Sequence, residues 1–174
     1  MNKAFVLALM LTLSASEVAF SDDAFDAPTS SENTIALERP NVVSVEGLGR
    51  GYLYSVDFDH AFSNYIAVGA GFSYWDTSAW WRGANTSIFV IPVYGNFYFS
   101  PGSNRVYFTA GADFVQTGKA VDSKNNFKRS GVVVVLGGGY ELRTANGLLF
   151  RSTPYVFLGK SINVGLGLSA GVTF

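Results

Sequence analysis

The sequence predicts an all-β fold: a transmembrane, antiparallel, up-and-down β-barrel of about eight strands. Its closing stretch is the first sign. Over residues 163–174, Val164, Leu166, Leu168, Ala170, Val172 and Phe174 share one strand face, while Asn163, Gly165, Gly167, Ser169, Gly171 and Thr173 share the other. One face suits hydrocarbon and the other is small or polar, which is the pattern of a barrel strand in lipid. The same two-residue period returns along the chain from Asn41 onward. Composition agrees: 19 Gly, 15 Phe and 9 Tyr with only 14% charged residues suit many short strands and not a helical bundle.

The N-terminus is set apart from the fold. Lys3 supplies a positive charge, and residues 4–13 form an apolar run too short to cross a bilayer as a helix. Small residues follow, so residues 1–21 read as a signal peptide, with cleavage after Ser21 preferred over Ser16. Export to the outer membrane is the expected address. Residues 22–40, rich in Asp, Glu, Ser, Thr and Pro, read as a flexible leader, and residues 41–174 as the barrel. The chain has no Cys, which excludes disulfides, thiolate metal sites, a cysteine nucleophile and a lipoprotein anchor. Net charge is −1 with no basic stripe, so nothing points to nucleic acid.

The strands follow in order. Tyr52, Tyr54, Val56 and Phe58 oppose Ser55, Asp57 and Asp59. Ile66, Val68, Ala70, Phe72 and Tyr74 oppose Ala67, Gly69, Gly71 and Ser73. Phe89, Ile91, Val93, Phe97 and Phe99 oppose Pro92, Tyr94, Asn96 and Tyr98, and Val106 to Phe114 oppose Tyr107, Thr109, Gly111 and Asp113. Val132 to Leu142 then oppose Gly137, Gly139, Glu141 and Arg143, and the stretch 148–157 turns Arg151, Thr153 and Tyr155 the same way. One face is bulky and uncharged throughout, and the other carries every strand-borne charge. A soluble sandwich with a dry core is the alternative. The signal peptide, the terminal Phe174 and the aromatic strand ends favour lipid on the apolar side.

Connections support this. Those around 62–64, 100–104 and 144–147 are short, 76–85 and 116–130 are long, and 158–161 is modest. Short periplasmic turns alternating with longer outer loops are a habit of outer-membrane barrels. Counting from Tyr52 gives about seven strands. Residues 42–48 supply an eighth if 47–51 form a tight hairpin, with Ser44 and Glu46 inward and Val43 and Val45 outward. The alternative is one long bulged strand over 42–60, and the even-number rule favours eight.

Signal peptide, alternating strands, asymmetric loops and Phe174 together resemble the small outer-membrane barrels of the OmpA membrane domain and OmpX type. The resemblance is architectural and covers about residues 41–174. It implies outer-membrane lipids, lipopolysaccharide and the barrel-assembly machinery as partners, with Phe174 as the assembly signal; Val172, where that signal usually has a second aromatic, is aliphatic.

Chemistry-bearing residues fall into few groups. Glu46, Asp57, Asp59, Asp113, Glu141, Arg143 and Arg151 form the expected lumen charge network, in which the arginines should lie against carboxylates because unpaired charge in a narrow barrel is costly. The glycines of the last strand, Gly165, Gly167 and Gly171, should leave room for Tyr94, Tyr107, Arg143 and Arg151. Tyr74 and Trp75 read as membrane-interface aromatics, and Trp80 and Trp81 as loop aromatics available to an extracellular protein or glycan. Lys119, Lys124, Lys128 and Arg129 could hold lipopolysaccharide phosphates. His60 and Ser63 are not spaced to share a strand face, so no catalytic residue is assigned, and a single His among scattered carboxylates gives no metal site or cofactor. The expected role is structural or interactive, with a side-chain-filled lumen and exposed loops. The alternatives are a narrow channel for ions or small solutes, and a lipid-modifying enzyme centred on His60.

Overall fold

The computed structural model describes residues 38–76, 86–119 and 127–174. They form eight antiparallel strands: β1 (Asn41–Gly47), β2 (Tyr54–Ala61), β3 (Ile66–Asp76), β4 (Thr86–Tyr98), β5 (Asn104–Lys119), β6 (Phe127–Arg143), β7 (Leu148–Leu158) and β8 (Ile162–Thr173). Each strand pairs with its sequence neighbour, and β1 pairs with β8, so the sheet closes on itself. Closure leaves no free edge along the paired length of the wall. The seam runs from Val42–Thr173 to Gly47–Leu168, and Asn41 and Phe174 exchange backbone hydrogen bonds of 3.0 and 2.9 Å at its foot.

The eight-strand alternative is the one that forms. Residues 48–53 make a hairpin, with Leu48 N–H donating to Leu53 O at 2.9 Å and Tyr52 N–H to Gly49 O at 2.9 Å. The second strand therefore begins at Tyr54, and Tyr52 belongs to the turn. Both ends of the barrel wall, at β1 and at β8, lie at one end of the cylinder, called here the terminal end; residues 48–53 lie at the far end.

Alternation holds around the wall. Val43, Phe58, Val68, Val93, Phe108, Val134, Phe150 and Leu168 are exposed on the outside, while Ser44, Asp59, Ala67, Tyr94, Tyr107, Val135, Leu149 and Ser169 are buried inside. The inward residues are a mixture of polar groups, tyrosines, glycines and a few aliphatics such as Val90 and Leu149, so the core of this molecule is its lumen. An eight-stranded barrel is just wide enough for side chains to fill it.

One expected loop is mostly strand. Gln116 pairs with Ser130 and Thr117 with Arg129, with a register irregularity between Thr117 and Gly118, so β5 and β6 continue well past the position where residues 116–130 were expected to leave the wall. β7 meets β6 only up to the Leu158–Val134 pair, so the far ends of β5 and β6 rise above it. The expected signal segment 1–21 and residues 22–37 of the leader lie outside the described residues. The end of the leader is pinned: Pro40 O accepts from Ala61 N at 2.8 Å, and Arg39 Nη1 donates to Ala145 O at 3.1 Å across the terminal end.

Candidate functional site

The inward face gathers the charges into two layers. In the layer near the terminal end, register alone sets the geometry. Glu141 on β6 lies directly opposite Arg105 on β5 and Arg151 on β7, and Arg143 follows two residues later on the same face. Glu141 accepts from Arg143 Nε at 2.7 Å, from Arg151 Nε at 2.6 Å, from Arg105 Nε at 3.1 Å and Nη2, and from the Tyr98 hydroxyl at 2.8 Å. Arg151 also ion-pairs with Asp59 across the lumen, and the Arg105 guanidinium lies 3.7 Å from the centre of the Tyr98 ring. Arg143 Nη1 donates to Arg39 O at 3.4 Å, which ties the leader into this layer. Arg105 and Glu141 are each 0% exposed, so these ions are removed from water and stable only because they share bonds.

Above it, the Tyr98 and Tyr107 rings tilt against each other at 5.5 Å, and the Tyr107 hydroxyl pairs with Thr153 Oγ1. The far layer follows. Glu46 Oε1 accepts from the Tyr155 hydroxyl at 2.7 Å, and Glu46 Oε2 from the Arg50 backbone N–H at 3.1 Å and Nε at 3.5 Å. The Arg50 guanidinium lies 3.2 Å from the centre of the Tyr94 ring. Ser55 Oγ donates to Asp57 Oδ2 at 2.8 Å. Phe157 and Tyr52 stack at 5.9 Å over this layer and cap it. Burial, reinforced by Asp113, holds the Tyr52 phenol above its ordinary pKa.

Glycine makes these approaches feasible at particular positions. A Cβ at Gly139 would lie 2.9 Å from Tyr107 Cζ, and one at Gly69 would lie 2.6 Å from the Tyr94 ring. The last strand serves other partners than expected: Gly167 faces Glu46 and Tyr155, Gly165 faces Phe157 at 3.0 Å, and Gly171 faces Ser44 at 2.7 Å. Strand tilt offsets the residues that meet across the lumen, so a purely sequential reading misassigns such pairs.

Of the seven charges expected inside, all are buried. Glu141, Arg143, Arg151 and Asp59 come together in one network, and Glu46 joins the other layer. Asp113 does not join either: both its carboxylate oxygens are buried without a hydrogen-bond partner. Two buried cations were missing from the expected set, Arg50 and Arg105. Arg105 shares parity with Tyr107 and Thr109, and this signal would have found it. Arg50 sits on a turn, where parity says nothing.

The remaining candidates are placed as follows. His60 Nδ1 pairs with Asn41 Oδ1 at 2.9 Å and its ring meets Phe62 edge-on at 4.8 Å. Ser63 Oγ instead accepts from the Tyr65 and Ile66 N–H groups at 3.2 and 3.1 Å, which makes it a turn-stabilising hydroxyl and not a partner of His60. Tyr74 points outward, whereas Trp75 stands on the inward side of the alternation, half-buried with its indole Nε1 enclosed, a correction to the interface position expected for it. Trp80, Trp81 and Lys124 lie outside the described residues. Lys119, Lys128 and Arg129 lie on the far ends of β5 and β6, where only the backbone is described, and so on strands and not in the loop expected to carry them. Among the described residues no three His, Asp or Glu side chains converge as a metal-ligand group.

No family model matches this sequence, and no curated protein matches it. Solved structures do match. The N-terminal β-barrel domain of Pseudomonas aeruginosa OprF superposes with a TM-score of 0.57 at 11% identity, covering 78% of this chain and 98% of that one. Neisserial surface protein A, NspA, gives 0.52 at 9% identity over 77% of this chain and 93% of that one. The attachment invasion locus protein Ail of Yersinia pestis gives 0.47 at 15% identity over 77% and 93%. The first two share the closed antiparallel barrel seen here, so the chain has the fold of the small outer-membrane barrels, as the OmpA and OmpX resemblance implied.

Proposed function

We propose that this protein is an integral outer-membrane barrel whose lumen is sealed by its own side chains and whose role is structural or interactive, without turnover. The observation that carries the reading is the inversion of the usual soluble pattern: Val93, Phe108 and Leu168 stand exposed on the outer wall, while Arg105, Arg151 and Glu141 are buried inside. A belt of bare apolar side chains around a charged interior is stable in hydrocarbon and not in water. The terminal end is then periplasmic and the far end extracellular. Residues 1–21 direct export, outer-membrane lipids surround the belt, and Lys119, Lys124, Lys128 and Arg129 meet lipopolysaccharide phosphates. Trp80 and Trp81 are available to an extracellular protein or glycan.

The seal is supported by the stacked layers from the Arg39 segment through Glu141 and Tyr107 to Arg50 and Tyr52. Reconstituted in planar bilayers, the barrel is expected to give no steady single-channel current. A reproducible conductance would replace the sealed reading with a narrow channel. The membrane address is checked by fractionation and by heat-modifiable migration on SDS gels. Recovery from the periplasm without detergent would overturn it.

Phe174 gives a separate prediction. Its backbone closes the seam with Asn41, but its ring is 58% exposed and contributes little packing. Phe174→Ala should therefore refold in detergent like the parent, yet accumulate in the outer membrane at a severalfold lower level, because the ring is read by the assembly machinery. Equal surface abundance, measured by blotting of fractionated membranes, would remove that role.

A further inference from the structure

The lumen does not share its charges evenly. Around Glu141 three arginines meet two carboxylates, whereas in the far half Glu46, Asp57 and Asp113 are all buried and the cation bonded among them is Arg50. That cation comes from a hairpin and not from the wall. Arg50 is 2% exposed, and its guanidinium lies over Tyr94 at 3.2 Å with the Tyr155 ring centre at 5.6 Å. Two aromatic faces and a carboxylate are a recurring way to hold an organic cation. Arg50 is closely packed, but its side-chain hydrogen bonding is incomplete. Its side-chain bond to Glu46 is long, at 3.5 Å, and its Nη1 has no hydrogen-bond partner. Asp57 Oδ1 and both oxygens of Asp113, in side chains 2% and 1% exposed, have none either.

Apart from Arg50 and the Tyr52–Phe157 stack, the hairpin backbone takes a hydrogen bond from the wall on one side only. Toward β3, Ser73 Oγ donates to Gly51 O at 3.1 Å. Toward β8 the ladder stops at Gly47–Leu168, and a groove of about 500 Å³ opens between Leu48 and Tyr52 of the hairpin and Val133, Phe157, Lys160 and Val164. Leu48 and Tyr52 have φ of 60° and 65°, a left-handed backbone that residues with a Cβ adopt reluctantly. The closed position thus holds an incompletely hydrogen-bonded cation on a strained turn with space beside it.

We propose that the far half of the lumen is a binding site for a small guanidinium-type cation, that Arg50 is its resident occupant, and that the 48–53 hairpin is its door. A solute guanidinium arriving at the far end takes the place of Arg50 on the Tyr94 face and on Glu46. Asp57 Oδ1 and both Asp113 oxygens offer free acceptors for its N–H groups, and the hairpin moves into the groove beside β8. A planar guanidinium stacks flat on the ring and donates to Glu46 at once. A quaternary ammonium, which has no N–H, can use the ring face but cannot donate to Glu46. The proposal rests on the sealed-barrel reading, and the two fail separately: steady current through the parent barrel overturns the seal, while cation titration reports on the site.

The test uses the Arg50→Ala barrel refolded in detergent micelles and titrated with methylguanidinium chloride, with sodium chloride holding ionic strength constant. The midpoint temperature of the heat-modified gel transition should rise and saturate at millimolar methylguanidinium. Adding Glu46→Gln to that variant should weaken the effect by about tenfold, since a charge-assisted acceptor is lost. A midpoint that does not move, or that moves equally without Glu46, overturns the site. Where Arg50→Ala does not refold, the parent protein decides. Amide exchange at Leu48, Tyr52 and Leu53, whose N–H groups bond within the hairpin, should quicken with methylguanidinium and not with sodium chloride at equal ionic strength. Unchanged exchange overturns the door.

Discussion

Glu141→Ala is expected to destabilise the folded barrel by about 3–5 kcal/mol, the cost of removing one partner from a buried ionic cluster. Glu141 is the acceptor shared by Arg105, Arg143 and Arg151, and it also takes the Tyr98 hydroxyl. Its removal leaves Asp59 as the remaining carboxylate bonded to these guanidiniums, and Asp59 reaches only Arg151. The other two retain single contacts to backbone carbonyls, Arg105 to Asn64 O at 3.5 Å and Arg143 to Arg39 O at 3.4 Å. Urea unfolding in lipid vesicles measures the loss. Arg143→Ala, which removes one donor and leaves Glu141 two arginines, should cost clearly less. A Glu141→Ala effect under about 1 kcal/mol, the size seen for solvated pairs, would mean that the layer is wet and the lumen is not sealed there.

The wall was legible in the sequence because lipid on one side and a packed lumen on the other impose a strict two-residue period. Inward Ser44 and Glu46 follow from that period, as does the closing strand through Thr173. Legibility ends where the two-sided environment ends. Past Gln116 and before Ser130 the strands rise above β7, no apolar belt is required of them, and the alternation that marks a strand disappears even though the ladder continues. Arg50 was invisible for a related reason. It sits in a glycine-rich turn, where charge ordinarily means solvent, and only the fold shows that the turn bends back over Glu46. Trp75 shows the opposite error: its parity with Ser73 assigned it inward, and its chemistry as an interface residue suggested otherwise.

Val93→Arg should destabilise the barrel in vesicles by about 2–4 kcal/mol, while Phe99→Arg should cost no more than about 1 kcal/mol. The two side chains share a face, and both are exposed, so in water the two substitutions would be similarly mild. They differ in depth. Val93 stands near the middle of β4, paired with Ala70 and Ala112 on either side, whereas Phe99 follows the last residue of that strand at the terminal end. A guanidinium at Val93 must sit in the hydrocarbon midplane or drag water and headgroups to itself. At Phe99 it reaches the headgroups by extending its own stem. The pair therefore separates a membrane wall from an exposed apolar surface with another cause. Unfolding free energies from urea titration in vesicles should differ by the gap between the two positions. Equal, small losses at both would mean that the outer face of β4 does not lie against lipid, and would return the apolar belt to some other partner.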